Sequence, residues 1–343
     1  MGSNKKKGVG FGIFLACSSA FATGTFGIFL HYMAALGLSE DTVTLVGPVF
    51  MFFAFLAICL IKDPRSLLVE KKLYYVTMIV VSGFILYPLY NYTYVQVFSN
   101  LPMAIASLFH FSNSIVLVFL MRILFKEKIT KEKIICCILA VVGIMFVLQI
   151  ITFGTAVPDE SVPITAMGIF WGVAVAVSLA CVYSIDYFHI NRNIPVTTTQ
   201  TYACMCTSIL LLITSNPVTV GHNIAEAVSV NGPVVIFVTL AYCAVLMWSY
   251  YAITACYTYI DASFGALTFV LEPSVAAILG FLILKESLTP LQILGIVIAV
   301  SAIVFMQYAE GKREKATLAA LAESDMLKCD DDLGNANPEV DVE

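Results

Sequence analysis

The chain of 343 residues is 60% apolar and only 12% charged, with a mean hydropathy of +0.92, whereas a soluble domain of this size needs about twice that charge to cover its surface. Its apolar residues come in runs of roughly 20, the length that crosses about 30 Å of hydrocarbon, so soluble folds are excluded. The net charge of −5 gathers at the C-terminal end, where Asp330, Asp331 and Asp332 precede Glu339, Asp341 and Glu343, and no basic patch with interleaved aromatics invites nucleic acid.

In chain order, Lys5 to Lys7 precede an apolar stretch that continues to about Leu36, too long for the core of a signal peptide, so it is read as a first membrane helix. Ten spans are expected in all, near residues 9–36, 43–61, 73–97, 102–125, 133–153, 164–188, 196–214, 233–259, 262–284 and 290–308. Lys62-Asp63-Pro64-Arg65 stops the second, and Asn100-Leu101-Pro102 separates the third from the fourth. Thr289-Pro290-x-Gln292 starts the tenth as a capping box with proline at the first helical position. The longest outer loop is expected from about Asn216 to Gly232. Gly8-x-Gly10-x-Gly12 and Gly24-x-x-Gly27 read as close helix packing, and nine of the ten cysteines as small apolar core residues.

With the N-terminus placed in the cytosol, Lys285 is the one basic residue of eighteen outside it, a decisive bias under the positive-inside rule. Both termini are then cytosolic, in a multi-pass protein assigned by default to the plasma membrane.

A shift of 159 residues lays Phe125-Lys126-Glu127-Lys128-Ile129-Thr130 on Leu284-Lys285-Glu286-Ser287-Leu288-Thr289. A shift of 160 lays Gly8, Gly12, Ser18 and Ala20 on Gly168, Gly172, Ser178 and Ala180. The fold class is therefore an all-α integral membrane protein of ten transmembrane helices in two five-helix repeats, 1–153 and 154–308, with 309–343 as an acidic cytosolic tail. Five is odd, so the second copy enters from the opposite side, the inverted arrangement in which carriers place a midplane site.

These halves, each with a Lys-Glu loop before its last helix, resemble the drug/metabolite transporter superfamily and in particular its EamA-like transporter family. The most specific stretch is Leu271-Glu272-Pro273-Ser274-Val275-Ala276-Ala277-Ile278-Leu279-Gly280, then Lys285-Glu286, then Gly295. The first half departs from it, with Asn113-Ser114 in place of Glu272-Pro273 and Cys136 in place of Gly295. The resemblance covers about residues 8–308 and implies transport, usually export, of small metabolites without covalent chemistry.

Glu272 is the sharpest site candidate, since a carboxylate inside a span costs several kcal/mol unless it faces water, protein or a counter-charge. It shares a helical stripe with Asp261, Gly265 and Thr268, and Pro273 frees the carbonyl of Phe269 beside it. It is read as binding a proton or a positive group, against a structural carboxylate bonded to a neighbouring helix. In the fourth span Ser107, His110, Asn113 and Ser114 cluster on one face, with His110 a candidate proton relay or a neutral hydrogen-bonding group. Tyr87, Tyr90, Asn91 and Tyr94 in the third span, and Tyr250, Thr254 and Tyr257 in the eighth, form aromatic faces suited to aromatic, cationic or amphipathic solutes or to helix packing. Ser18 in the first span, and Trp171 and Ser178 in the sixth, are further pocket candidates.

No Lys or Arg lies deep in a span, which weighs against phosphorylated cargo and toward a neutral, zwitterionic or cationic small molecule. No Walker loop or metal-type cluster is found, so no cofactor is called for. The expected partners are this solute, the lipid bilayer, and protons or a counter-substrate. A membrane-embedded enzyme would need acids, His or Cys clustered at one interface. A non-transporting receptor or scaffold would work through its loops or tail.

Overall fold

A computed structural model describes residues 8–69, 71–101, 109–127, 129–147, 150, 165–283, 289–302, 304–305, 308–309 and 312. Ser107, Lys128, the Lys285-Glu286 pair, the segment 151–164 and the tail beyond 312 lie outside these residues.

Each described element is helical. Helix α1 (Val9–Ala35) bends at Thr25, whose hydroxyl turns back onto the carbonyl of Ala22 at 2.6 Å. Helix α2 (Glu40–Lys62) starts where the Ser39 side chain accepts the amide of Thr42. Helix α3 (72–100) runs through Lys72–Val76, a wide-wound π stretch Thr77–Leu86, and Tyr87–Asn100. Helix α4 (Phe109–Phe125) ends with Lys126 in the left-handed region, φ 56°, which turns Glu127 back toward the bundle. Helices α5 (Lys131–Val147), α6 (Ala166–Asn191) and α7 (Val196–Thr214) follow.

The expected outer loop is instead helix α8 (Pro217–Asn231). Asn216 accepts the amide of Val218, Pro217 occupies the first turn, and Gly232 at φ 67° ends the helix. Its start and stop signals were present, but at about four turns it is too short to span a bilayer, so the segment reads as a connection. Helices α9 (Val234–Cys256), α10 (Ala262–Ile283) and α11 (Pro290–Ala302) complete the order. The capping box of α11 is formed: Gln292 Oε1 accepts the amide of Thr289 at 2.8 Å, and Thr289 Oγ1 accepts that of Gln292 at 3.3 Å. Helix α10 tightens into a 3₁₀ turn at Thr268–Val270, one turn before Pro273, where proline's missing donor loosens the helix.

Among the described residues seven helices are long and apolar enough to cross a membrane, and Phe109–Phe125 and Pro290–Ala302 are apolar but shorter. Large apolar side chains such as Phe53, Phe119, Phe170, Phe237 and Phe281 stand exposed on their outer faces, as expected of a surface in contact with lipid rather than water.

Packing crosses between the two halves of the chain. Helix α2 lies along α7, α1 along α9, α3 along α6, and α4 against α6 and α10. The main core, with Leu117, Met121, Ile144, Tyr187, Phe264 and Leu267, draws on both halves. Glycine supplies close approach at selected points only. A Cβ at Gly12 would meet Tyr259 at 2.6 Å and one at Gly24 would meet Val275 at 2.7 Å, whereas Gly10 and Gly27 have nothing within 4 Å. At Gly8 a Cβ would also come within 3.1 Å of Tyr259, so the expectation of close glycine packing holds at Gly8, Gly12 and Gly24 and fails at Gly10 and Gly27.

Backbone meets backbone where α5 packs on α11. A Cβ at Gly295 would stand 2.6 Å from the Gly143 carbonyl oxygen and 2.7 Å from the Val147 nitrogen, both backbone atoms that cannot rotate away. Gly295→Ala is expected to cost about 1–3 kcal/mol through overpacking and to lower the melting temperature in detergent. Gly10→Ala, in open space, should hold or raise it through helix propensity. Equal melting temperatures for the two variants would contradict this close packing.

Candidate functional site

Helices from both halves converge on an aromatic cavity. Thr23 and Phe26 come from α1, Tyr90 from α3, His110 from α4, Leu179 and Tyr183 from α6, Ser249, Tyr250 and Ile253 from α9, and Phe269 from α10. The cavity measures about 30 Å³. One water needs about 10–15 Å³ by this measure, so it holds a couple of waters and must widen to admit a solute. One wall is fixed by hydroxyls: Ser19 bonds the Ser249 carbonyl at 2.8 Å, and Thr23 and Ser249 share a hydrogen bond of 2.9 Å.

The aromatic faces divide. Tyr90 and Tyr250 line the cavity; Tyr90 shares a 3.1 Å hydrogen bond with His110 Nε2, and Tyr94 packs edge-on to His110 at 5.3 Å. Tyr87 lies one layer behind, its ring 6.2 Å from that of Tyr250. Asn91 bonds back to the Tyr87 carbonyl. Tyr257 is fully buried among Tyr183 and Tyr187, away from the cavity lining. Glu272 stands one turn along from Phe269, within electrostatic reach of Tyr90, Tyr94 and Tyr183. Among the described residues no hydrogen bond or ion pair is formed by its carboxylate.

The remaining candidates are occupied with helix packing. Thr268 bonds the Gly265 carbonyl and Ser18 that of Leu15. Ser114 donates to the Ala266 carbonyl at 2.9 Å, tying α4 to α10. Asn113 donates to the His110 carbonyl, and its Oδ1 is buried without a partner among the described residues. Ser178 shares a 3.0 Å bond with Thr93, between α6 and α3. Trp171 packs edge-on to Tyr92 at the periphery.

Two polar clusters escaped the sequence reading. In the first, Asp186 Oδ2 on α6 meets the Tyr87 hydroxyl at 2.9 Å, Gln200 Nε2 on α7 at 3.3 Å and Thr254 Oγ1 on α9 at 3.3 Å. Asp186 falls near the end of an expected span, where a carboxylate reads as interfacial, and Gln200 four residues into the next. Their shared depth was the available signal.

The second cluster closes one end of the bundle. Lys133, 2% exposed, donates to Ser263 Oγ at 2.6 Å and lies 3.7 Å from both Glu127 and Asp261. Ser263 in turn donates to Glu127 Oε2 at 2.6 Å. Burial and the neighbouring Asp261 carboxylate push the Glu127 carboxyl above its usual range, against the pull of Lys133 and of the Ser263 donor. Glu127 comes from the α4–α5 connection, Lys133 from the first turn of α5, and Asp261 and Ser263 from the start of α10. Glu127 of the first half's Lys-Glu loop is thus one of the points that tie it to the second.

Apolar helices long enough to cross a membrane thus surround a cavity lined from both halves of the chain. The sequence model of the EamA-like transporter family matches residues 10–149 and again 166–308. The chain belongs to that family and is a transporter of the drug/metabolite type. A solved structure titled only "Crystal structure of protein" has the same fold, with a TM-score of 0.67 and 12% identity, over 89% of this chain and 99% of that one. No curated protein matches the sequence.

Proposed function

We propose that the protein is a secondary carrier that moves a small neutral, zwitterionic or cationic solute across the plasma membrane by alternating access, as an exporter. The observation that carries this reading is the aromatic cavity lined from both halves, with the Glu272 carboxylate in electrostatic reach of its Tyr90 and Tyr183. Tyrosine and phenylalanine faces attract organic cations and apolar groups, and a carboxylate with no cationic neighbour is a natural anchor for a positive group or a proton. Helices α1 to α7 and α9 to α11 make the ten crossings, the second set of five inverted with respect to the first. The Lys133 latch then lies on the cytosolic side and keeps the cavity shut from that face. His110, bonded to Tyr90, is placed to pass a proton toward the cavity.

Uptake into sealed proteoliposomes, screened with amines, amino acids and aromatic cations, tests the reading. Saturable transport of at least one such solute is expected. Its absence across the screen, with properly inserted protein, would leave the enzyme or receptor readings in place.

Topology gives a separate check. In a background without native cysteines, Cys at Lys128 and Ala319 should react with impermeant thiol reagents only from the cytosol, and Cys at Asp159 and Ser287 only from outside. Asp159 and Ser287 reporting opposite sides would refute the ten-crossing inverted arrangement.

A further inference from the structure

We propose that Asp186 is a proton-binding site in its own right, lodged behind the aromatic cavity where α3, α6, α7 and α9 meet, and distinct from Glu272. The argument is one of hydrogens and charge. Asp186 is 1% exposed, and its Oδ1 has no hydrogen-bond partner among the described residues. All its contacts crowd onto Oδ2, and the donors there are shared. The single Tyr87 hydroxyl hydrogen is also within reach of Gln200 Oε1 at 3.2 Å. The Thr254 hydroxyl already has the Tyr250 carbonyl at 2.8 Å. The Gln200 amide faces Tyr87 and Thr254, both at 3.0 Å, as well as the carboxyl.

An ionised carboxylate needs donors at both oxygens or a counter-cation. The groups that face Asp186 are Tyr87 from α3, Tyr183 on its own helix, Cys204 from α7, and Tyr250 and Tyr257 from α9. All are neutral in their ordinary state at physiological pH, and among the described residues no Lys, Arg or His pairs with the carboxylate. The arrangement is complete when Asp186 takes one proton: the charge disappears and Oδ2–H donates to the Thr254 or Tyr87 oxygen.

Tyr87 belongs to the first half, whereas Asp186, Gln200 and Thr254 belong to the second. Relative movement of these four helices separates the carboxyl from part of its shell and admits water. Water then carries off the proton as hydronium and solvates the anion. Only this coupling role rests on the carrier reading; proton binding itself does not.

Infrared difference spectroscopy on the full chain in lipid at neutral pH, in sodium-free buffer, tests the site without a substrate. A C=O band from a buried neutral carboxylic acid is expected in the wild type and in Glu272→Gln, with one component lost in the isosteric Asp186→Asn. Tyr87→Phe removes a hydrogen bond but keeps the carboxyl, so it should shift that component without abolishing it, a second reading should Asp186→Asn fail to insert. Absence of the band from the wild type, its survival intact in Asp186→Asn, or its removal by added sodium would each overturn the proposal. Failure of the carrier reading shows elsewhere, as a lack of flux in the uptake assay.

Discussion

Glu272→Gln is expected to weaken binding of an aromatic cation by about 1.5–3 kcal/mol, the worth of a hydrogen bond to a charged group, or roughly 10–150-fold in Kd. The change is nearly isosteric, so it tests charge rather than shape. The carboxylate lies within electrostatic reach of Tyr90 and Tyr183, which line the cavity, and among the described residues it makes no hydrogen bond or ion pair. A bound cation would supply its missing partner. Equilibrium binding and proteoliposome flux separate the roles. Loss of affinity in every mode assigns Glu272 to the solute. Loss of uphill movement and of pH dependence, with exchange intact, assigns it to a proton. Unchanged affinity, flux and pH response would remove Glu272 from the site.

Lys133→Met should spring the closed end of the bundle. Removing one partner of a buried ion pair leaves uncompensated charge and costs about 3–5 kcal/mol. Asp261 is half-exposed, and solvent screening there puts the effect at the lower end, a factor on the order of 100 in the ratio of closed to open forms. Spin labels at Lys126 and Thr258, exposed on the two sides of the latch, should report a new population at longer distance.

Acidity should act in the opposite sense. Glu127 holds its proton more tightly in the closed latch than in open water. Its contribution to closure is therefore fully present below the usual carboxylate range and is lost as pH rises through its raised value. Mild acid should restore part of the short distance in Lys133→Met, and Glu127→Gln should make the distances insensitive to pH in that window. A Lys133→Met distance distribution identical to wild type would show that the latch does not hold the bundle shut.

The course of the chain was legible because lipid imposes a coarse rule: among the described residues each apolar run of span length holds a helix, seven of them long enough to cross a membrane. Local signals worked where the chemistry is local, as in the Thr289–Gln292 cap and the loosening of α10 before Pro273. They were misread at Asn216–Gly232, where a short amphipathic helix resembles a loop. The site was legible in part. Tyr90, His110 and Tyr250 come together at one cavity because each lies on the inward stripe of its helix. Thr268, Ser18 and Ser114 share such stripes yet spend their hydroxyls on backbone carbonyls, a choice set by neighbours a sequence does not display. Asp186 and Lys133 went unnoticed because each lies close to a span end, where charge is ordinary, and only tertiary packing buries it.

Interleaving has a consequence for biosynthesis. Ser19 finds Ser249, Thr42 finds Asn223, Tyr87 finds Asp186, and Lys133 finds Ser263; every one of these unions links the earlier half of the polypeptide to the later. While the ribosome is still translating the second half, the first five helices reside in the bilayer with glycine grooves and polar side chains that have no mates. The folded state is therefore rich in contacts between distant parts of the sequence, and these cannot form before the last helices are made. Packing of the bundle is thus expected to follow insertion of the last helices, because the partners of these side chains are made late.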